Sequence, residues 1–421
     1  MSSLLFTNIK QLVNVRNDSH LLRGKELADL PCIENAYLIV EDGVIAEYGS
    51  MVNGQWSMGK FNKVVDAKNK FVLPCWCDSH THLVFAGSRE EEFIDKLKGL
   101  SYAEIAAKGG GILNSARKLN ETSEDELFSQ AWKRLEEVSK LGTGAIEIKS
   151  GYGLTVEGEL KMLRVIRKLK EKSSLCIRAT FLGAHAYPLE YKENHPGYID
   201  SIINEMLPVI AREKLADYID VFCETGFFSP EETEIICLAG KKYGLKPKLH
   251  VNQLNSIGGI EVGLKLHAVS VDHLETMTDD DIGKLAKVPT NRDLEGATIG
   301  TLLPSAAFFL RMSFPPAREL IEAGCAIAIA SDHNPGSSPS GNMNLVVAMS
   351  CIQMKMLPEE AINAATINGA YAMELQNDVG SITVGKKANL IFTKPIPSIA
   401  YLPYAFGSNH IDKVMIAGEW V

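Results

Sequence analysis

The stretch Leu73-Pro-Cys-Trp-Cys-Asp-Ser-His-Thr-His82 is a short apolar run that ends in His-x-His. On a strand, alternate side chains share a face. His80 and His82 therefore point the same way, and two imidazoles on one side of a strand end make half of a metal site. Taken alone, the pair reads equally well as two ordinary histidines beside a loop. More donors at the ends of later strands would separate the two readings, and they are present. His185, His250, His273 and His333 each stand where another apolar run stops, while His20, His195, His267 and His410 fall elsewhere. Lys149-Ser-Gly-Tyr152-Gly, Cys223-Glu224 and Ser331-Asp332-His333-Asn334 occupy the same kind of position.

Eight strand-type runs are needed to place these groups, and the sequence holds eight: 71–78, 143–149, 176–183, 218–223, 247–252, 268–272, 298–303 and 325–330. Helical patterns lie between them. Asp125 to Lys140 puts Leu127, Phe128, Ala131, Trp132, Leu135 and Val138 on one face, and Glu157 to Lys170 does the same with Leu160, Leu163, Ile166 and Leu169. Pro315-Pro316 opens a helix that Gly324 closes. Such alternation predicts an α/β fold, a parallel (β/α)8 TIM barrel over 71–375, with its active site at the C-terminal strand ends. The ends of the chain read differently. Ala36 to Glu47 is a hairpin around Glu41-Asp-Gly, residues 380–392 read as strand, turn, strand, and Lys413 to Val421 as a last strand. Neither end has enough apolar residues for its own core. The expectation is a small composite β-sandwich domain from 1–70 and 376–421, with the barrel inserted between them.

In that barrel order His80 and His82 (first strand), His250 (fifth) and Asp332 (eighth) converge on one divalent ion, a donor set that suits Zn2+ or Fe. A water in the remaining position is acidified toward hydroxide. Asp332 has a second oxygen to take the water's proton. His273, one strand on, is placed to polarise the carbonyl under attack. Asp78 also points inward, either as a partner for a ligand histidine or as a buried structural hydrogen-bond acceptor. Arg89 lies just past the first strand, where a guanidinium grips a carboxylate; the plainer alternative is an ion pair with Glu90, Glu91 or Glu92. The Gly109–Gly111 run reads equally as a lid or a turn.

This order of donors resembles the amidohydrolase superfamily, and the two chain ends resemble the composite sandwich of its urease-like members. Within it, a set of segments resembles the imidazolonepropionase family. They are Cys77-Asp-Ser-His-Thr-His-Leu-Val-Phe-Ala-Gly-Ser-Arg-Glu90, Gly109-Gly-Gly-Ile112, Glu147-Ile-Lys-Ser-Gly-Tyr-Gly-Leu154, Leu182-Gly-Ala-His-Ala186, Asp220-Val-Phe-Cys-Glu224, Ser270-Val-Asp-His-Leu-Glu275 and Ser331-Asp-His-Asn-Pro-Gly-Ser337. They span nearly the whole chain. The resemblance implies hydrolysis of 4-imidazolone-5-propanoate to N-formimidoyl-L-glutamate in histidine degradation, with one Zn2+ or Fe per chain. It implies His80, His82, His250 and Asp332 as metal ligands and Asp332, His273 and Gln253 as catalytic groups. Arg89, Tyr152, His185, Gln253, Asn334, Gly336 and Ser337 match its substrate contacts. Two neighbours of ligands depart from the family pattern: His333 stands where Phe is usual, and Val251-Asn252 replaces Ala-Asp or Ala-Glu.

Other classes fit less well. Deaminases of this architecture place Glu three residues after the fifth-strand histidine, and Gln253 has no titratable proton at neutral pH. Cyclic amidases with two metals need a carboxylated Lys on the fourth strand, which here ends in Glu224. Glu224 is thus the residue that would upset a one-metal site, unless it is structural. A non-catalytic barrel scaffold predicts damaged ligands, and all four are intact. The net charge of −9 argues against nucleic acid or an anionic membrane as partner, though not against a small anionic substrate. Eight scattered cysteines without a Cys-x-x-Cys pair favour a reducing cytoplasm. The N-terminus lacks a signal pattern, and no apolar run is long enough to span a bilayer. A homodimer is expected, as is common for such barrels.

Overall fold

The computed structural model describes residues 3–52, 61–100, 104, 110–288 and 297–421. Among the described residues, sixteen strands follow in chain order. β1 (Ser3–Val13), β2 (Cys32–Glu41), β3 (Val44–Ser50), β4 (Lys63–Asp66) and β5 (Phe71–Pro74) come first. β6 (Trp76–Asp78), β7 (Thr143–Lys149), β8 (Cys176–Ala184), β9 (Tyr218–Cys223), β10 (Lys246–Val251), β11 (Ser270–His273), β12 (Ile299–Leu302) and β13 (Ile327–Ile329) come next. β14 (Leu390–Thr393), β15 (Ile411–Ile416) and β16 (Glu419–Trp420) are last. Among the described residues no helix is long and apolar enough to cross a membrane.

β6 to β13 pair in sequence order, each parallel to the next, and form the (β/α)8 barrel. Its seam, between β13 and β6, closes just past the named strands. Asp332 N–H donates to His80 O and His82 N–H to His333 O, both at 3.0 Å. The backbone that closes the barrel is the backbone that carries the metal-type side chains. Outside, the helix Glu124–Lys140 starts where Ser123 caps the Glu126 N–H and buries Leu127, Ala131, Leu135 and Val138. Val156–Lys172 buries Leu160, Leu163, Ile166 and Leu169. Ala317–Glu322 follows Pro315-Pro316 and ends before Gly324, whose φ of 88° suits glycine.

The chain ends share one mixed sheet in the order β16-β15-β14-β5-β1-β2-β3, with β4 beside β1. It curls until Ala388 N–H reaches Gly43 O at 2.9 Å, and Phe6, Leu12, Leu38, Val72, Leu390 and Phe392 fill the inside. Three details differ from expectation. The run 71–78 serves both sheets: β5 pairs with β1 and β14, and after Cys75 the chain passes into β6. Alternation of side chains says nothing about which sheet a strand joins. Residues 380–388 form no named strand: they pair through the isolated bridges Val15–Ile382 and Val44–Lys387, while Ile382 and Ala388 pack into the core of the sheet. The run Lys413 to Val421 is not one strand: Ala417 and Gly418, at φ 49° and 83°, form a tight turn, and β16 folds back to pair antiparallel with β15. Gly109 lies outside the described residues; Gly111, at φ 86°, precedes the helix Ile112–Glu121.

Candidate active site

His80 and His82 follow β6, His250 lies on β10, His273 ends β11 and Asp332 follows β13. All five are buried. His273 and Asp332 hold left-handed backbone, φ 89° and 54°, uncommon outside glycine and concentrated at functional sites. The ligand-type atoms of His80, His82 and His250 lie within 4.8 Å of one another, as do those of His80, His273 and Asp332.

The interior of the barrel below them explains how they are held. His80 Nδ1 lies 2.7 Å from Asp272 Oδ2, and His250 Nδ1 lies 2.9 Å from Asp220 Oδ2. Each Nδ1 therefore carries the proton, and each Nε2 exposes a lone pair. Lys149 Nζ sits 2.8 Å from Asp220 and 3.6 Å from Asp272, and 2.6 Å from Glu147. Lys248 pairs with the other oxygen of Glu147 and donates to Ser79 O and Ala372 O. All these groups are fully buried. Strand register assembles them: Lys248 is opposite Asp220, and His250 opposite Asp272.

Two observations test whether a cation fits. The bare Nε2 atoms of His80 and His250 face each other at 3.0 Å, and His82 Nε2 is 3.4 Å from that of His250. Lone pairs that close repel in a dry interior. Burial also pushes the pKa of all three histidines well below the usual imidazole range, so protonation does not relieve the contact. The separations match the roughly 3.3 Å expected between nitrogens that share a tetrahedral Zn2+. Asp332 Oδ1 lies 3.6 Å from both His80 Nε2 and His82 Nε2, completing the donor set. Burial raises the Asp332 pKa to about 7, against the nearby His273, which lowers it. His273 itself is pushed up: burial opposes its charge, but Glu275, 3.3 Å from Nδ1, together with Asp332 and Asp272, outweighs burial.

Around these groups stand the other residues singled out in the sequence. His185 stacks on His82, ring centres 5.3 Å apart, and Tyr152 is 5.8 Å from His82. Burial lowers the His185 pKa to about 4, and its Nδ1 donates to Gly151 O at 2.9 Å. Arg89 gives Nε and Nη2 to Glu92 Oε2, at 2.9 and 2.5 Å, and leans on Gly336, where a Cβ would meet its Nη1. Asn334 uses its whole amide on its own loop, taking Gly336 N–H and Ser337 N–H at 2.8 Å and giving to Asp332 O and Ser337 Oγ. Those two N–H groups thus face inward, onto the Asn334 amide oxygen. Ser337 Oγ donates to Asp332 Oδ2 at 3.3 Å. Gln253, two residues past β10, is buried.

Asp78 is not the partner of a histidine ring: its carboxylate accepts Ser331 N–H and Oγ–H, at 2.9 and 2.6 Å, across the seam, and the backbone N–H of His80. Glu224 is structural, accepting Thr225, Leu254 and Asn255 N–H groups. The carboxylates that orient the histidines are Asp220 and Asp272, with Glu275 behind His273, and sequence reasoning gave these three no role. Their trace was present: each is an acid within or just after an apolar run, and Asp272 directly precedes His273.

The amidohydrolase family profile matches residues 215–421. An imidazolonepropionase of Flavobacterium johnsoniae is 60% identical, over 99% of both chains. One of Christiangramia forsetii is 56% identical over 100% of both, and one of Clostridium tetani 44% identical over 94% and 93%. Among solved structures, a triazine hydrolase variant covers 99% of this chain and 94% of its own at TM-score 0.74 and 14% identity. A guanine deaminase from C. acetobutylicum, with bound guanine, covers 100% of both at 0.70 and 15%. At such low identity these two attest the fold alone.

Proposed function

The chain belongs to the imidazolonepropionases, within the metal-dependent amidohydrolase family, and from that premise we propose which of its side chains carry out the hydrolysis of 4-imidazolone-5-propanoate to N-formimidoyl-L-glutamate. The observation that carries the assignment is the meeting of the bare His80 and His250 Nε2 atoms at 3.0 Å, with His82 Nε2 3.4 Å from that of His250, beside Asp332. These four hold one divalent cation, Zn2+ or Fe. A cation there supplies Lewis acidity, which makes water nucleophilic at neutral pH.

Charge favours a single ion. Glu147, Asp220 and Asp272 against Lys149 and Lys248 leave one formal negative charge beneath the site, and Asp332 adds another, so one divalent cation balances the pocket. Lys149 and Lys248 are both engaged in ion pairs, so neither is free to become a bridging carbamate.

The chain's own groups then do the rest. Arg89 binds the propanoate carboxylate through the guanidinium edge that Glu92 leaves open. Tyr152, His185 and Gln253 border the ring, and Asn334, Gly336 and Ser337 form the opposite wall. Asp332 takes a proton from the attacking water and passes it to the ring nitrogen as the C–N bond breaks. His273, with its charge supported by Glu275, stabilises the negative charge that grows on the carbonyl oxygen. Residues 71–375 form the catalytic unit apart from β5, which joins 1–70 and 376–421 in the supporting β domain. Eight free cysteines support a reducing cytoplasm. Exposed Phe93, Ile94, Leu97 and Phe308 support a homodimer, and the net charge of −9 supports small-molecule rather than nucleic-acid partners.

Following the ultraviolet absorbance of the imidazolone ring, with and without a chelator and alongside metal analysis, tests this reading. Loss of turnover on chelation and its return with about one metal per chain are expected. Full turnover without metal, or release of ammonia from purines at enzymatic rates, would sink it.

A further inference from the structure

Tyr152 and His185 come from different strand ends, yet one short segment holds both. Tyr152 is the middle residue of Ser150–Leu154, and His185 Nδ1 donates to the carbonyl of Gly151 in that segment. The segment leaves regular structure: Gly151 has φ 112° and Leu154, a residue with a full side chain, φ 53°. Such a backbone persists only where its surroundings over-determine it. Ser150 N–H still donates to Thr180 O at 2.9 Å and Tyr152 N–H turns to Met162 Sδ at 3.4 Å, but the N–H groups of Gly151, Gly153 and Leu154 turn toward the start of the helix Val156–Lys172 and converge on one carboxylate. Glu159 Oε2 accepts Gly151 N–H at 3.0 Å, and Oε1 accepts Gly153 N–H at 2.7 Å and Leu154 N–H at 3.0 Å.

Glu159 is fully buried, and its partners are these N–H groups and the Ser150 hydroxyl, none of them a cation. A buried carboxylate held only by neutral donors is costly unless its geometry is needed. The loop also lies flat on the helix: a Cβ on Gly153 would sit 2.3 Å from the Gly158 carbonyl carbon. Asn120 fixes the outer side through Nδ2 to Gly153 O at 2.9 Å.

We propose that Glu159 is a positioning residue for substrate binding, its carboxylate setting the place of Tyr152 and, through Gly151 O, the orientation of His185. This rests on the reading of Tyr152 and His185 as substrate contacts. Glu159 touches neither substrate nor metal, so its removal acts on the shape of the pocket and not on the proton transfers.

The test is Glu159→Gln, the same shape with one acceptor turned into a donor, compared with Tyr152→Ala and the double variant. Expected are a KM for 4-imidazolone-5-propanoate raised about 10-fold, kcat within about 2-fold, metal content unchanged, and a double variant well short of the product of the single effects. An unchanged KM in Glu159→Gln overturns the proposal. So does a lower kcat and lower Tm at constant KM, which marks a merely structural carboxylate, and so does a KM effect that simply multiplies with that of Tyr152→Ala. Tyr152→Ala without effect on KM removes Tyr152 from the pocket and takes the proposal with it, whereas Tyr152→Ala raising KM beside an unaffected Glu159→Gln overturns the proposal alone. If Glu159→Gln does not fold, Glu159→Asp, which keeps the charge but stops one methylene short, is held to the same KM outcome.

Discussion

The floor of the barrel mouth and its rim lie a few ångströms apart and are held by different physics. On the floor, His80 and His250 stand on or next to strands, and each is clamped by a buried carboxylate that a buried lysine neutralises in turn. On the rim, Arg89, Tyr152 and Asn334 sit on loops. Arg89 is held by Glu92, Asn334 by its own loop, and the Tyr152 segment by Glu159, whose carboxylate accepts the segment's backbone N–H groups. Full charges in a dry interior make the floor rigid and unforgiving, since losing one member strands another. The rim uses separate small sets of bonds, an Arg89–Glu92 pair, a side-chain amide and a carboxylate facing neutral N–H groups, so single losses there are graded. A metal needs the first kind of support and a substrate that must leave needs the second.

The sharpest way to break this contrast is Lys149→Met. It leaves Glu147, Asp220 and Asp272 sharing one lysine, and urea unfolding of the metal-free protein should show a loss of about 3–5 kcal/mol. A loss under about 1 kcal/mol would mean that the floor is no more charge-locked than the rim. His273→Ala comes next, with kcat falling roughly 10²- to 10³-fold while the metal stays bound. Loss of the metal instead would make His273 a ligand.

Arg89→Ala addresses the rim. KM should rise about 10- to 100-fold at constant metal content, the worth of a charge-assisted pair. Unchanged substrate affinity would leave Arg89 as no more than the partner of Glu92.

The smallest effect is on pH. In the metal-free protein the Asp332 pKa is raised to about 7, mainly by burial. The stability this group contributes is therefore present below the ordinary carboxylate range and lost as pH rises through about 7. A cation needs the carboxylate, so protons compete with it below that point, and metal affinity should fall about tenfold per unit. The rise in Tm on adding metal should accordingly be larger at pH 8 than at pH 6. An equal rise at both values would show that Asp332 is not the group competing for protons.

Much of the site was legible because barrel geometry turns chain order into position. His-x-His after the first run, His250 three residues before Gln253, and Asp332 after the last run had to meet once eight parallel strands closed. The helix faces built on Leu127 and Leu160 were legible for a similar reason, a period of 3.6 residues. Asp78 was half legible: its inward direction followed from alternation, but its partner is Ser331, a neighbour only across the barrel seam. Arg89 showed both of its readings in the sequence, and its contact with Glu92 is real.

Residue type and strand parity are local properties, so the kind and order of the groups at the mouth can be read from the chain alone. Which charges meet beneath it follows from the folded barrel. Glu147, Lys149, Asp220, Lys248 and Asp272 each read as a lone charge in an apolar run, and they become one network through the register of β7, β9, β10 and β11. Register is set by packing across strands far apart in the chain, and no single stretch of sequence carries it.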